Sequence, residues 1–138
     1  MSGGKILTIC GSMQFFRQME DLKSVLESKD FFVYLPEAEE SEDYYSQLPA
    51  AQKAGVKREF IDAHLEKIKR STSILVANYQ KHGIPGYVGP NTLMEIAFAY
   101  ALEKKLYLLN PLGDQPCKDE LLALDIKLVD PEFSQIRS

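Results

Sequence analysis

Cysteine and histidine are scarce in this 138-residue chain, with two of each: Cys10 and Cys117, His64 and His82. The cysteines lie far apart and neither belongs to a C-x-x-C pair, so no structural metal site is expected. A basic surplus is also lacking. Sixteen Lys and Arg against twenty Asp and Glu give a formal charge of −4, which excludes the broad basic face that nucleic-acid polymers require. Backbone amides can still hold a small anion locally. No apolar run is long enough to span a bilayer, and Met1-Ser2-Gly3-Gly4-Lys5 lacks the apolar stretch of a signal peptide. The expectation is a cytoplasmic protein with no membrane partner. What is present is ordinary globular composition, 45% hydrophobic and 26% charged. A chain of this size buries roughly 68–70% of its unfolded surface, enough for one domain over residues 1–138 without a metal or disulfide staple. Ser2 to Gly4 read as a tail without a role.

Apolar periodicity divides the chain into alternating elements. Lys5 to Cys10 and Phe31 to Leu35 read as strands, and the spacing of Phe15, Phe16, Met19, Leu22, Val25 and Leu26 predicts a helix over 14–28. Residues 37–50 are acidic, with Tyr44 and Tyr45 embedded, and read as a mobile loop or short helical excursion. A second helix is expected over 52–70, with Phe60, Ile61, His64, Leu65 and Ile68 on one stripe. Ile74 to Asn78 is a continuous apolar run ending in a polar residue, the pattern of a strand covered on both faces. Residues 79–90 hold three glycines and two prolines and read as loop. A third helix over 92–104, a strand over 106–109, a short helix near 118–124 and a weak strand over 126–129 follow. This alternation implies right-handed crossovers and an α/β fold: one doubly wound, five-stranded parallel sheet of order 2-1-3-4-5, Rossmann-like, with helices on both faces.

In such sheets ligands bind beyond the C-terminal strand ends, where strand order reverses, here between strands 1 and 3. Three segments converge there: Cys10-Gly11-Ser12, the stretch from Asn78 to Asn91, and the start of the third helix. Gly11-Ser12 stands between strand and helix, so its amides and hydroxyl could hold a phosphate, with Arg17 adding charge; alternatively, Ser12 only caps the helix. The pattern is neither a dinucleotide fingerprint nor a P-loop, and no cofactor is implied. Glu95 opens a helix otherwise nearly uncharged up to Glu103. Thr92-x-x-Glu95 matches a capping box. The functional alternative is a carboxylate kept ionised by the helix N-terminus and aimed at a sugar's anomeric carbon. Asn78 either closes a turn or orients a ligand. Tyr79, Tyr87, Tyr44 and Tyr45 are loop aromatics able to stack on a base. His64 is either a core histidine or an acid–base group. Cys10 reads as a small buried hydrophobe whose position before a helix would lower its thiol pKa.

Ile9-Cys10-Gly11-Ser12 with Arg17, the Ile74–Asn78 strand, and Gly89-Pro90-Asn91-Thr92-Leu93-Met94-Glu95-Ile96-Ala97-Phe98-Ala99-Tyr100 resemble the nucleoside 2-deoxyribosyltransferase superfamily. In outline the chain also resembles the Rcl-type deoxynucleoside 5′-monophosphate N-glycosidases. The resemblance implies Glu95 as nucleophile, Gly11, Ser12 and Arg17 at the sugar-phosphate end, and a homodimer or larger homo-oligomer. Two departures stand out. Where the family carries an aspartate on the helix before strand 3, this register places His64, with Asp62 nearby; where it often carries a tyrosine on strand 1, Thr8 stands.

Two functions follow. In the first, the chain cleaves or exchanges the N-glycosidic bond of a nucleoside or its 5′-monophosphate. Glu95 attacks, His64 donates a proton, Cys10, Gly11, Ser12 and Arg17 bind the 5′ end, and Asn78, Tyr87, Gly89 and Asn91 orient sugar and base. In the second, the same pocket is a nucleotide-binding or sensing module without turnover.

Overall fold

The computed structural model describes residues 5–37 and 46–137. The expected tail at Ser2–Gly4, the acidic residues Glu39, Glu40, Glu42 and Asp43, and Tyr44 and Tyr45 lie outside the described residues. The elements in chain order are β1 (Ile6–Cys10), a 3-10 turn (Met13–Phe15), α1 (Phe16–Glu27), β2 (Phe32–Tyr34), α2 (Ala50–Arg70) and β3 (Ser73–Val76). Then come α3 (Pro90–Ala101), β4 (Lys105–Leu108), α4 (Lys118–Ala123), β5 (Lys127–Leu128) and α5 (Ser134–Arg137). The five strands are all parallel and ordered β2-β1-β3-β4-β5, as the alternating pattern required.

Strand periodicity sorts the core into two layers. Leu7, Ile9, Val33, Leu75 and Tyr107 face α1 and the C-terminal segment, where Met19, Leu22, Leu26, Phe133 and Ile136 cover them. Cys10, Ile74, Val76, Leu106 and Leu108 face the opposite side, against Ile68 of α2, Ile96 and Ala99 of α3 and Leu121 of α4. Both faces are therefore sealed, which is why β3 is buried along its whole length. Thr8, on the α2 side, is fully buried, and its hydroxyl pairs with that of Ser71 at 2.6 Å. It belongs to packing beneath the sheet's helical cover. The sequence pattern missed α5: four residues leave too little period to recognise, and burial of Phe133 and Ile136 fixes it. Among the described residues, no helix is long and apolar enough to cross a membrane.

Register brings the strand ends together: Cys10 stands opposite Val76, and Val76 opposite Leu108. The segments after β1, β3 and β4 therefore leave the sheet side by side, at the point where strand order reverses.

Candidate functional site

The turn after β1 is built on close approach. A Cβ on Gly11 would stand 3.0 Å from the Ala77 carbonyl oxygen and 3.1 Å from Met19 Sδ, so the chain leaves the sheet there without a side chain. Ser12 caps the 3-10 turn, its hydroxyl accepting from the Gln14 amide at 3.4 Å. It also accepts from Lys81 Nζ at 3.0 Å. Lys81 reaches it from a tight hairpin in which Lys81 and Ile84 exchange backbone bonds across His82 and Gly83. Both central residues have positive φ, 53° and 72°, the geometry of a two-residue hairpin turn.

A second restraint fixes the wall behind this hairpin. The Asn78 side chain donates to the Asn110 carbonyl at 2.7 Å and accepts from the Asn110 amide at 2.9 Å, while the Asn110 side chain donates back to the Asn78 carbonyl at 3.2 Å. Gly86 has φ 64°, and a Cβ there would stand 2.0 Å from the Pro111 carbonyl oxygen. Gly86→Ala must therefore bear both left-handed strain and a steric overlap. It is expected to lower stability by about 2–3 kcal/mol in urea unfolding. Gly55→Ala, in α2 with nothing within 4 Å of the added carbon, is expected to raise it by about 0.5–1 kcal/mol. Equal effects at the two positions would contradict the packing of the wall.

Between these walls lies a cleft of about 350 Å³, lined by residues including Gly11, Ser12, Lys57, Lys81, Tyr87 and Glu95. His82 stacks edge-on against Tyr87, ring centroids 5.2 Å apart, on its rim. A larger depression of about 830 Å³ sits at the opposite end of the molecule, beneath Lys105 and Lys127. The smaller cleft is the candidate site, because it lies at the carboxyl ends of the strands and at the reversal of their order.

Glu95 projects from α3 into the cleft floor, its side chain 13% exposed. The capping box expected at Thr92 does not form. Gly89 is the N-cap and Pro90 takes the first helical position, a placement proline favours because it has no amide to leave unpaired. Thr92 is buried in the first turn, and Glu95 stands sixth in the helix. Its placement therefore owes nothing to capping, and the helix-terminus field, which fades within one turn, does not reach it.

Two buried groups back this carboxylate. Fully buried Cys10 donates its thiol hydrogen to Glu95; burial first, and then the Glu95 charge and that hydrogen bond, push the thiol well above its ordinary range. The expected lowering of its pKa is thus reversed. Cys10 stands behind Glu95 and does not line the cleft. His64 is 1% exposed, with Nε2 3.8 Å from Glu95 Oε1. Burial and the Lys67 charge bring its pKa down to about 3, weakly opposed by the Ile9 backbone. Beyond that poorly formed contact with the Ile9 backbone, neither ring nitrogen has a hydrogen-bond partner. The imidazole is therefore neutral at physiological pH, and its contact with Glu95 is not an ion pair. Asp62 is exposed and faces Arg58 at 3.9 Å, so it is His64 that α2 turns toward the carboxylate.

Of the residues singled out in the sequence, Gly11, Ser12, Tyr87, Gly89, Asn91 and Glu95 meet in the cleft. Cys10 and His64 lie directly beneath it. Arg17 is exposed on α1 and outside the cleft lining, while Asn78 is spent on the wall. Tyr79 packs against Phe15, ring centroids 5.2 Å apart. Sequence reasoning missed Lys57, Lys81 and His82. The His-Gly pair at 82–83 is a turn signal that places Lys81 at the rim, whereas Lys57 has no feature separating it from other helix lysines.

The whole architecture has close counterparts among solved structures. The chain is similar to the 2-deoxyribosyltransferase of the psychrotolerant bacterium Bacillus psychrosaccharolyticus, with a TM-score of 0.59 and 15% identity, over 96% of this chain and 90% of that one. It is also similar to the Clostridium botulinum CMP N-glycosidase BcmB, with a TM-score of 0.53 and 17% identity, over 96% of each chain. These likenesses establish the fold, the one that the sequence resemblance implied. No protein-family model matches the chain, and no curated protein matches it by sequence.

Proposed function

We propose that the cleft binds a nucleoside or nucleoside 5′-monophosphate and that Glu95 breaks its N-glycosidic bond. The observation that carries this reading is the Glu95 carboxylate, the one carboxylate lining the cleft among the described residues, backed by a thiol donor and a neutral imidazole. Two neighbours in fold are a deoxyribosyltransferase and a CMP N-glycosidase, both acting on that kind of bond. Glu95 Oε attacks C1′, the C1′–N bond breaks through an oxocarbenium-like transition state, and the base leaves with the bonding electron pair. Water, or an incoming base, then releases the sugar from the Glu95 ester. Ser12 and Lys81, with Lys57 nearby, supply the cationic end for a 5′-phosphate, the role the sequence reading gave to Arg17. Tyr87, Gly89 and Asn91 border sugar and base.

His64 is not the acid in this scheme, since a group with a pKa of about 3 holds no proton to release near neutrality. It acts by position, keeping the space behind Glu95 dry. The leaving base therefore takes its proton from solvent or leaves as the anion. This gap is the observation that favours the second reading, a binding module without turnover. Homodimerisation and a cytoplasmic setting are part of the proposal; the exposed apolar stripe of Met94, Ala97 and Ala101 along α3 supports the first.

The test is a panel of ribo- and deoxynucleosides and their 5′-monophosphates, scored for free base by chromatography and for thermal stabilisation. Release of base from at least one member supports the enzyme. Saturable stabilisation without release across the panel supports the binding module, and neither effect with any member removes the nucleotide reading.

A further inference from the structure

We infer that Cys10, His64 and Glu95 form a binding site for a zinc-class divalent cation at the cleft floor. One ligand atom from each residue lies within 4.8 Å of the other two. His64 Nε2 and Glu95 Oε1 stand 3.8 Å apart. Nitrogen and oxygen ligands on a tetrahedral zinc stand about 3.4 Å apart and sulfur stands about 3.6 Å from either, so His64 and Glu95 close by a few tenths of an ångström and Cys10 by up to about one ångström.

The donor set selects the ion class. A thiolate, an imidazole and one carboxylate suit zinc and similar borderline cations, and do not suit calcium or magnesium, which take oxygen shells. Charge balance also fits a buried position. The thiol proton passes to solvent on binding, so thiolate and carboxylate together neutralise a divalent ion, and the neutral imidazole adds its lone pair. An independent observation points to a ligand: His64 is 99% enclosed, yet beyond a poorly formed contact with the Ile9 backbone neither ring nitrogen has a hydrogen-bond partner, and an under-satisfied buried polar group is costly unless something else satisfies it. Three protein ligands leave a fourth position, on the Glu95 side, facing the cleft.

The site stands on geometry and needs no turnover; only its consequence for activity rests on the reading of Glu95 as nucleophile. A carboxylate engaged by a cation cannot attack C1′, so occupied and metal-free protein are two functional states of one cleft.

The test uses the full chain, stripped by a chelator and titrated with Co²⁺ alone. One equivalent is expected to bind, with an intense near-ultraviolet thiolate-to-cobalt absorption. Cys10→Ala is expected to lose that band. Glu95→Gln is expected to weaken binding by more than the roughly tenfold that loss of even a supporting partner costs. Cys117→Ser should bind like the native chain, and circular dichroism verifies that each variant is folded. A native spectrum without the band, or a band unchanged in Cys10→Ala, overturns the site. Base release at full Co²⁺ occupancy separates the two readings: suppressed turnover supports both, while undiminished turnover removes Glu95 as nucleophile and leaves the metal site standing.

Discussion

Glu95→Gln is expected to reduce base release by about a thousandfold or more, the scale of losing a covalent nucleophile, while nucleotide binding and fold persist. The amide keeps the size and hydrogen-bonding reach of the carboxylate, so the Cys10 thiol retains an acceptor and the cleft keeps its shape. Only the negative charge and the nucleophilic oxygen are removed. Because Glu95 stands sixth in α3, the substitution removes no cap and should cost little stability. Chromatography of the released base, with thermal stabilisation by the same nucleotide as the binding control, provides the measurement. Matching rates in the two proteins would take Glu95 out of the chemistry. Lost binding together with lost turnover would make it a recognition residue instead.

The second large effect concerns acid stability of the metal-free protein. His64 has a folded-state pKa of about 3 against an ordinary value of 6.5. Between those values the unfolded chain binds a proton that the folded chain refuses, so the stability of the fold rises with pH throughout the window. The contribution is complete above about pH 6.5 and is lost progressively as the pH falls toward 3. One unit of pKa difference corresponds to about 1.4 kcal/mol. The slope therefore approaches about 1.4 kcal/mol per pH unit, and the whole window is worth about 5 kcal/mol. His64→Gln, which does not titrate, should show a shallower decline between pH 6.5 and 4 in urea unfolding with chelator present. Carboxylates elsewhere lose their own contributions in both proteins, so the difference between the two slopes isolates the imidazole. Parallel slopes would mean that His64 is accessible to protons in the folded state.

The architecture was legible because its causes are repetitive. Ile74, Val76 and Leu106 to Leu108 mark strands sealed on both faces, and the helical stripes between the strands leave one parallel topology. The site was legible in part, for a different reason. Glu95 and Gly11-Ser12 are out of place for simple packing, one a lone charge in an apolar helix, the other a side-chain-free turn at a strand end. Thr92 misled because the capping-box pattern is local, while proline's preference for the first helical position moved the N-cap three residues upstream, from Thr92 to Gly89. Cys10 misled in sign: proximity to a helix start was weighed, but burial and an adjacent carboxylate, both tertiary facts, outweigh it. Asn78 was recognised as unusual, yet its partner Asn110 lies 32 residues away, beyond any sequence window. Lys57 could not be told from a solvated lysine until α2 was docked.

The doubly tied asparagines bear on how this cleft could change its preferences. Asn78 and Asn110 clasp neighbouring strand exits, and Gly86 is wedged against the Pro111 carbonyl, so the loop frame behind the cleft is held stiff. New tastes would have to arise from the groups hung upon it, Tyr87 and His82, whose replacement reshapes the entrance without loosening the masonry behind.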